Sequence, residues 1–337
     1  MAKQGTLDRE QILRISSAFR GACVLGAAAE LDLFTRLGGR ARTAGELAAL
    51  MKADLRATAM LLDALAALRL LEKRGGRYRL PSGLRPLLME GSPRTLLASI
   101  RHHVNIMRRW SELARVVKSG KPAARRASIR GLKADRAAFI AAMHGFSGPF
   151  AEALVRRLGP PRFRRLLDVG GASGTWTLAF LKASPGARAT IFDLPDAIAQ
   201  ARRRLAATGA LGRVALVPGD FYKDELPAGA DLAWVSAIAH QHSRRDNRDL
   251  FRKVYAALSW GGRILIRDFV LEENRTRPLD GALFAINMLV GTKSGGTFTF
   301  EEFAEDLKAA GFRNPRLLVE DERMHSVVGA VKPAQRA

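Results

Sequence analysis

The chain has 337 residues, 47% of them hydrophobic, and 55 basic against 32 acidic side chains give a formal charge of +23. That length holds two or three domains with real cores, and that apolar content excludes a disordered chain. No apolar run approaches the ~20 residues of a membrane span, and the N-terminal stretch MAKQGTLDREQ lacks the apolar segment of a signal peptide, so a cytoplasmic protein is expected. The one cysteine, Cys23, excludes an intrachain disulfide and a cysteine-rich zinc site; among Ala, Val and Leu it is expected to be buried. Basic residues are spread along the chain in short runs such as ARRRL and PRFRRL, which favours a general surface bias over a nucleic-acid footprint.

Residues 8–37 carry apolar side chains at helical spacing, stopped by Gly38 and Gly39. Thr43 followed by Glu46 predicts a capping box at a helix start, and a second helix follows from about Asp54 to near Glu72. RGGRYRL then reads as a hairpin tip leading into a strand. Helix, turn, helix, hairpin is a winged-helix pattern. A helix that reads DNA shows basic and amide side chains to the major groove. This second helix has only Arg56 and Arg69 and is apolar on nearly every side, which favours packing against a partner subunit.

Residues 91–160 alternate between helical and irregular. SIRHHVNIMRRWSELARVV predicts one helix, KSGKPAARRAS a polar connector, and ADRAAFIAAMHGFSGPFAEALVRRLG one or two helices broken around Gly148 and Pro149. From Phe163 short apolar runs alternate with helices: RLLDVGG, ARATIFDLP, VALVPGDF, DLAWVSAIAH and GGRILIRDFV. That alternation predicts an α/β fold, a parallel sheet covered on both faces. The chain is therefore divided into residues 1–90, a helical connector over 91–160, and an α/β domain over 161–337.

LLDVGGASGTWTLAFL is a strand, a glycine-rich turn and a helix, the place where ligands bind in open α/β sheets. The dinucleotide pattern G-x-G-x-x-G is not met, because position 172 is Ala. Asp168 at the strand end would repel a pyrophosphate but suits a cationic ligand such as S-adenosylmethionine, which carries an ammonium and a sulfonium. Asp193 ends the second strand at the spacing of a ribose-binding acid. In the third, Asp220 can accept from an adenine amino group and Phe221 can cover the ring. Three acids at three successive strand ends predict an S-adenosylmethionine site.

In order, ELDLFTRLGG…EKRGGRYRLP, LLDVGGASGTW, FDLP, GDF and GGRILIRDF resemble the dimeric small-molecule O-methyltransferases of the caffeic-acid and hydroxyindole type. The resemblance covers nearly the whole chain. It implies a Rossmann-like cofactor domain behind an N-terminal winged-helix dimerisation domain, and a homodimer. It implies that Gly170, Gly171, Asp193, Asp220 and Phe221 hold the cofactor; Gly174 of the same loop and Asp168 are expected to join them.

Transfer of a methyl group to a hydroxyl needs a base at the carboxyl end of the sheet, and His240 lies just past the fourth strand. The family carries a catalytic His there, commonly as His-x-Trp; here His242 stands in the place of the Trp. Asp268, after the fifth strand, matches the acid that orients the imidazole. A second acid usually follows a Gly-Gly before the last helix. KSGGTFTFEEF offers Thr297 and Phe298 instead, and Glu301 and Glu302 open the next helix. With no third or fourth ligand near His240 and His242, no metal site is expected. Phe139, Met143 and Ser147 match a family spacing that lines the acceptor pocket, and Asn287 and Met288 are expected to join them; His102, His103, Asn105 and Trp110 stay open as further contributors. The expected function is methyl transfer to a hydroxyl of an aromatic or polyketide-like small molecule. The alternatives are C- or N-methylation, a non-methylating enzyme on the same fold, and a nucleic-acid-binding winged-helix protein.

Overall fold

The computed structural model describes residues 6–159 and 163–335. The boundary expected at 160/161, the start of the PRFRRL run and the first five residues of the N-terminal stretch lie outside the described residues. Two compact units form: Met1–Arg108 with Arg125–Ala142, and Arg109–Ala124 with Met143–Ala337.

In the first unit the expected helical stretch over 8–37 is three helices: α1 (Arg9–Ser17), α2 (Phe19–Glu30) and α3 (Leu33–Leu37). Asp32, at φ 55°, breaks the last two apart. The Thr43–Glu46 capping box opens α4 (Ala44–Met51) as expected, and Asp54 caps α5 (Leu55–Ala67). Strands β1 (Arg42–Thr43), β2 (Glu72–Arg74) and β3 (Arg77–Arg79) form a small sheet ordered β1-β3-β2. Its hairpin turns at Gly75 and Gly76, both at positive φ, which glycine adopts without strain. α6 (Arg85–Leu88) and α7 (Leu97–Trp110) follow. Thr58, Leu62 and Leu65 of α5 face a core of Ala28, Ala29, Phe34, Leu37 and Leu47. Leu55, Met60 and Leu68 remain exposed, and α1 buries no residue at all. Cys23 is exposed in the chain, against expectation, because only the second half of α2 (Gly26, Ala28, Ala29) reaches the core.

In the second unit the single helix expected over SIRHHV…ARVV is broken: α7 ends at Trp110 and α8 (Leu113–Ser119) starts after a tight turn in which the Glu112 N–H donates to the Arg109 carbonyl. The break expected at Gly148–Pro149 is absent, and α9 (Gly131–Arg157) runs through it. One proline removes one N–H and leaves the rest of a long ladder intact. By length and composition alone α9 and residues 9–30 would suffice to cross a membrane, which the sequence reading did not anticipate.

The α/β part contains β4 (Arg165–Val169), α10 (Thr175–Ala183), β5 (Arg188–Asp193), α11 (Pro195–Ala207), β6 (Val214–Pro218), β7 (Ala230–Ser236), α12 (Arg244–Ala257), β8 (Leu258–Asp268), β9 (Val270–Leu271), α13 (Leu279–Gly291), β10 (Phe298–Thr299), α14 (Phe300–Ala309), β11 (Arg313–Val319) and β12 (Ser326–Val331). Seven strands form one sheet in the order β11-β12-β8-β7-β4-β5-β6. The five expected strands are parallel; β12 and β11 add an antiparallel edge, because the short 320–325 connection can only fold β12 back beside β11.

Alternation along the strands separates two cores. Leu167, Val169, Val235 and Ile266 pack with Leu250, Phe251 and Val254 of α12 and Phe303 and Leu307 of α14. Leu166, Trp234, Leu265 and Val327 pack with Leu154 and Val155 of α9, Trp176 and Phe180 of α10, and Ile198 and Leu205 of α11. Both faces are thus covered, as a parallel sheet requires. The order puts β4, β7 and β8 side by side at the centre. Their carboxyl ends carry the residues that sequence reading marked for chemistry.

Candidate active site

Asp168 sits near the end of β4, 1% exposed. Its Oδ2 accepts from the Thr177 hydroxyl at 2.5 Å, while Oδ1 is buried with no partner. Burial first, and then the like charge of Asp193, push its carboxyl up to about 7 against the opposing Thr177 hydrogen bond. In the following turn Gly170 and Gly171 leave no room for side chains. A Cβ on Gly171 would lie 2.8 Å from Asp168 Cγ, and one on Gly170 would lie 2.6 Å from Ile238 Cδ1. Gly170 and Gly174 also need positive φ, at 66° and 74°.

Asp193 ends β5 behind this turn. Its Oδ2 accepts from the Ala172 N–H at 2.7 Å and its Oδ1 from the Leu194 N–H at 2.7 Å. Burial raises its pKa despite both bonds. Asp220 follows β6, accepts from the Tyr222 N–H at 3.0 Å and pairs with Lys223 at 3.3 Å. The Phe221 ring lies 4.8 Å from Tyr222 and 5.6 Å from His242. The three acids and the glycine turn therefore occupy successive strand ends, as expected. An orphaned carboxylate oxygen beside two glycines with no room for a side chain fits a ligand that brings an ammonium, which is the chemistry of S-adenosylmethionine.

His240 follows β7 in a short helical turn and is 6% exposed. Its Nδ1 lies 2.8 and 3.0 Å from the Asp268 carboxylate oxygens, and its backbone N–H donates to Asp268 Oδ2 at 3.2 Å. This contact assigns the proton to Nδ1 and leaves Nε2 as an acceptor. The Gly296 N–H donates to the His240 carbonyl at 2.9 Å. Among the described residues, Asp268 is the one carboxylate bonded to His240. Glu302 is committed elsewhere, closing a capping box with Thr299 and pairing with Arg275 at 2.7 Å. The Thr297 hydroxyl is buried without a partner.

His242 is buried and separate in role. Its Nε2 meets the Tyr222 hydroxyl at 2.6 Å and its Nδ1 meets Asn247 Oδ1 at 3.3 Å, while burial lowers its pKa. Asn247 in turn donates to the Ala239 carbonyl at 3.0 Å. The two histidines one residue apart thus face different partners.

Of the expected acceptor-pocket residues, Asn287 accepts from the Trp110 indole N–H at 3.1 Å and Met288 is buried one position on. Met143 is half-buried at the start of the second unit's share of α9. Phe139 belongs to the first unit, where its ring meets His102 edge-on at 5.2 Å. Sequence reading missed Phe284, whose ring stands at 85° to the His240 imidazole, 4.8 Å away. It lies one helical turn before Asn287 and Met288, and that spacing is the signal that could have found it. It also missed Gly219, where a Cβ would fall 2.4 Å from the Phe192 ring.

Comparison with known proteins places these features in a family. The O-methyltransferase domain family matches residues 110–313 and the O-methyltransferase dimerisation domain family matches residues 13–82. The chain is 32% identical to 3-hydroxy-5-methyl-1-naphthoate 3-O-methyltransferase of Streptomyces sahachiroi, over 85% of this chain and 84% of the relative. It is 30% identical to the tetracenomycin polyketide synthesis 8-O-methyl transferase TcmO of Streptomyces glaucescens, over 90% and 91%. Among solved structures, PigF of a Serratia species, determined with SAH, superposes with a TM-score of 0.86 at 29% identity, over 97% of this chain and 100% of that one.

Proposed function

The chain belongs to the O-methyltransferase family, and from that premise we propose that it is a homodimeric, cytoplasmic, S-adenosylmethionine-dependent enzyme of secondary metabolism that methylates a hydroxyl of an aromatic or polyketide-like small molecule. The observation that carries the reading is the His240–Asp268 pair, buried at the carboxyl end of the sheet with Nε2 left over as an acceptor. The relatives named for naphthoate and tetracenomycin methylation support an aromatic acceptor.

In this reading Asp168 holds the cofactor's ammonium, Asp193 its ribose hydroxyls, and Asp220 and Phe221 its adenine, around the turn of Gly170, Gly171 and Gly174. The bound cofactor supplies a methyl group on a sulfonium. A phenol has a pKa of about 10 and is a poor nucleophile while protonated. His240 Nε2 would take the phenolic proton so that the oxygen can accept the methyl group, whose bond to sulfur breaks to leave a neutral thioether, and Asp268 would stabilise the imidazolium that forms. Met143, Asn287, Met288 and Phe284 line the acceptor side. The exposed apolar side chains of α1 and α5 meet a second copy of the chain.

The test is incubation with S-adenosylmethionine and a panel of hydroxynaphthoic acids and phenolic polyketides, reading S-adenosylhomocysteine and the methylated product. His240→Ala is expected to lower the rate by about 10²–10⁴-fold. Activity that survives within a few-fold removes the base from the mechanism. One observation favours a second reading, C- or N-methylation or a non-methylating reaction: Asp268 stands without the second acid that the resemblance leads one to expect. A methyl group found on carbon or nitrogen, or no S-adenosylhomocysteine with a consumed acceptor, would select it.

A further inference from the structure

Arg267 is the residue before Asp268 on β8, and its side chain points to the opposite face of the sheet. It is 4% exposed. Among the described residues no carboxylate forms an ion pair with it. Its partners are neutral. Nη1 donates to Ser236 Oγ at 2.9 Å, Nη2 and Nε point at His325 Nδ1 at 3.3 and 3.4 Å, and the guanidinium lies 4.7 Å from the centre of the Trp176 ring. Burial, together with the Arg267 charge, lowers the His325 pKa to about 4, so its ring is uncharged and can accept. Its neighbours on this face, Leu265 and Trp234, are ordinary core residues. Burial pushes the Arg267 pKa down to about 10 although the charges of Asp268 and Asp321 act against that, so a buried cation without a direct ion pair is a costly occupant of a central strand, where a β-branched residue would pack without that cost.

The contacts of Arg267 converge on one place. Ser236 is the last residue of β7. Ala237 follows at φ 57°, a left-handed conformation unusual for a residue with a Cβ, and its N–H donates to the Arg267 carbonyl at 2.9 Å. This is the corner at which β7 stops and the chain turns into Ile238, Ala239 and His240. Arg267 therefore grips the corner with both its side chain and its backbone. Asp268, one residue on, grips His240 itself from the other face, through the ring Nδ1 and the backbone N–H.

We infer that Arg267 is a positioning residue for the His240–Asp268 pair, acting through Ser236 and Ala237 to hold the turn that presents the imidazole. It touches neither substrate nor cofactor in this role. The inference rests on reading His240 as the base, but it is measured without turnover.

The measurement is solvent exchange of the His240 Nδ1–H, followed by NMR in protein labelled with nitrogen-15 and saturated with S-adenosylhomocysteine, the signal being assigned by its absence in His240→Gln. The control is the indole N–H of Trp234, fully buried in the same core. Arg267→Met is expected to speed exchange at His240 at least tenfold while Trp234 is unchanged, and Arg267→Lys to recover part of the protection. Unchanged exchange at His240, or equal acceleration at His240 and Trp234, overturns the inference, the second because it marks a merely structural residue. Should Arg267→Met fail to fold, Ser236→Ala carries the same comparison: faster exchange at His240 alone supports the positioning role and unchanged exchange ends it. Methyl transfer by His240→Gln is read separately, so the base assignment and the positioning role fail in different experiments.

Discussion

Asp168→Asn should make the protein more stable and a worse cofactor binder, in a pH-dependent way. In the folded chain the carboxyl is pushed from the ordinary 3.8 to about 7, burial being the largest cause. The folded state therefore holds this proton more tightly than the unfolded chain. The sign follows: the stability contributed by protonated Asp168 is complete below about pH 4 and is lost as pH rises through about 7. Each pH unit within that window is worth about 1.4 kcal/mol. Between pH 5.5 and 8.5 the native chain should lose about 2 kcal/mol relative to the variant, most of it before pH 7. In a unit of this size that corresponds to roughly 4–8 °C in Tm. Asn keeps the shape and can still accept from Thr177, so it removes little but the charge. The assay is thermal unfolding of both proteins without cofactor across that range. Calorimetric titration with S-adenosylhomocysteine then reads the other side. The ammonium loses a charged partner worth about 1.5–3 kcal/mol, so Kd should rise about 10- to 150-fold. A Tm gap that does not change with pH would refute the burial argument, and unchanged affinity would refute the ammonium assignment.

Three further outcomes follow from the geometry. Asp268→Asn should lower methyl transfer at least tenfold with S-adenosylhomocysteine affinity unchanged, since it removes the carboxylate from Nδ1 and leaves the glycine turn alone; a parallel loss of affinity would point to a collapsed site. Gly171→Ala puts a Cβ 2.8 Å from Asp168 Cγ and 2.9 Å from Ile191 Cγ2, so cofactor binding by calorimetry should fall below detection; native affinity would mean the turn yields freely. Ile12→Asp with Ile15→Asp charges a helix that buries nothing in its own chain, and sedimentation should show the dimer dissociating; a stable double-mutant dimer would move the interface elsewhere.

Much of this was legible because it depends on local pattern. The Thr43–Glu46 box, the Gly75–Gly76 hairpin, the five parallel strands and the acids at the ends of three of them are set by capping, turn chemistry and periodicity within a few residues. The misses depend on contacts far along the chain. Cys23 looked like core from its neighbours, but the core stops at Gly26, which only the packing of α3 to α5 decides. Pro149 and the Ser111–Glu112 turn were assigned the wrong way round, because a proline interrupts one hydrogen bond while a tight turn leaves no compositional mark. Phe284 and Arg267 owe their importance to His240 and Ser236, which are 44 and 31 positions away.

The loop without a second acid holds His240 by its backbone. A Cβ at Gly295 would fall 2.4 Å from the His240 carbonyl oxygen, and the Gly296 N–H donates to that same oxygen. Gly295 thus brings backbone against His240 where a side chain could not fit, and Gly296 supplies the N–H. The His240 N–H is held by Asp268 and its carbonyl by Gly296, so both main-chain groups and Nδ1 are fixed before any acceptor arrives. A second carboxylate could add orientation, but it would also add negative charge beside the imidazole proposed as the base. Under the proposed base role, the backbone clamp supplies the orientation that a second carboxylate would otherwise give. The Thr297 hydroxyl, next along the same loop, is buried without a partner, and a polar group of the acceptor is expected to meet it. Thr297→Val, equal in shape and without the hydroxyl, should therefore change KM for an acceptor while leaving S-adenosylhomocysteine affinity as it was. A KM unchanged across the acceptor panel would return Thr297 to the loop's packing.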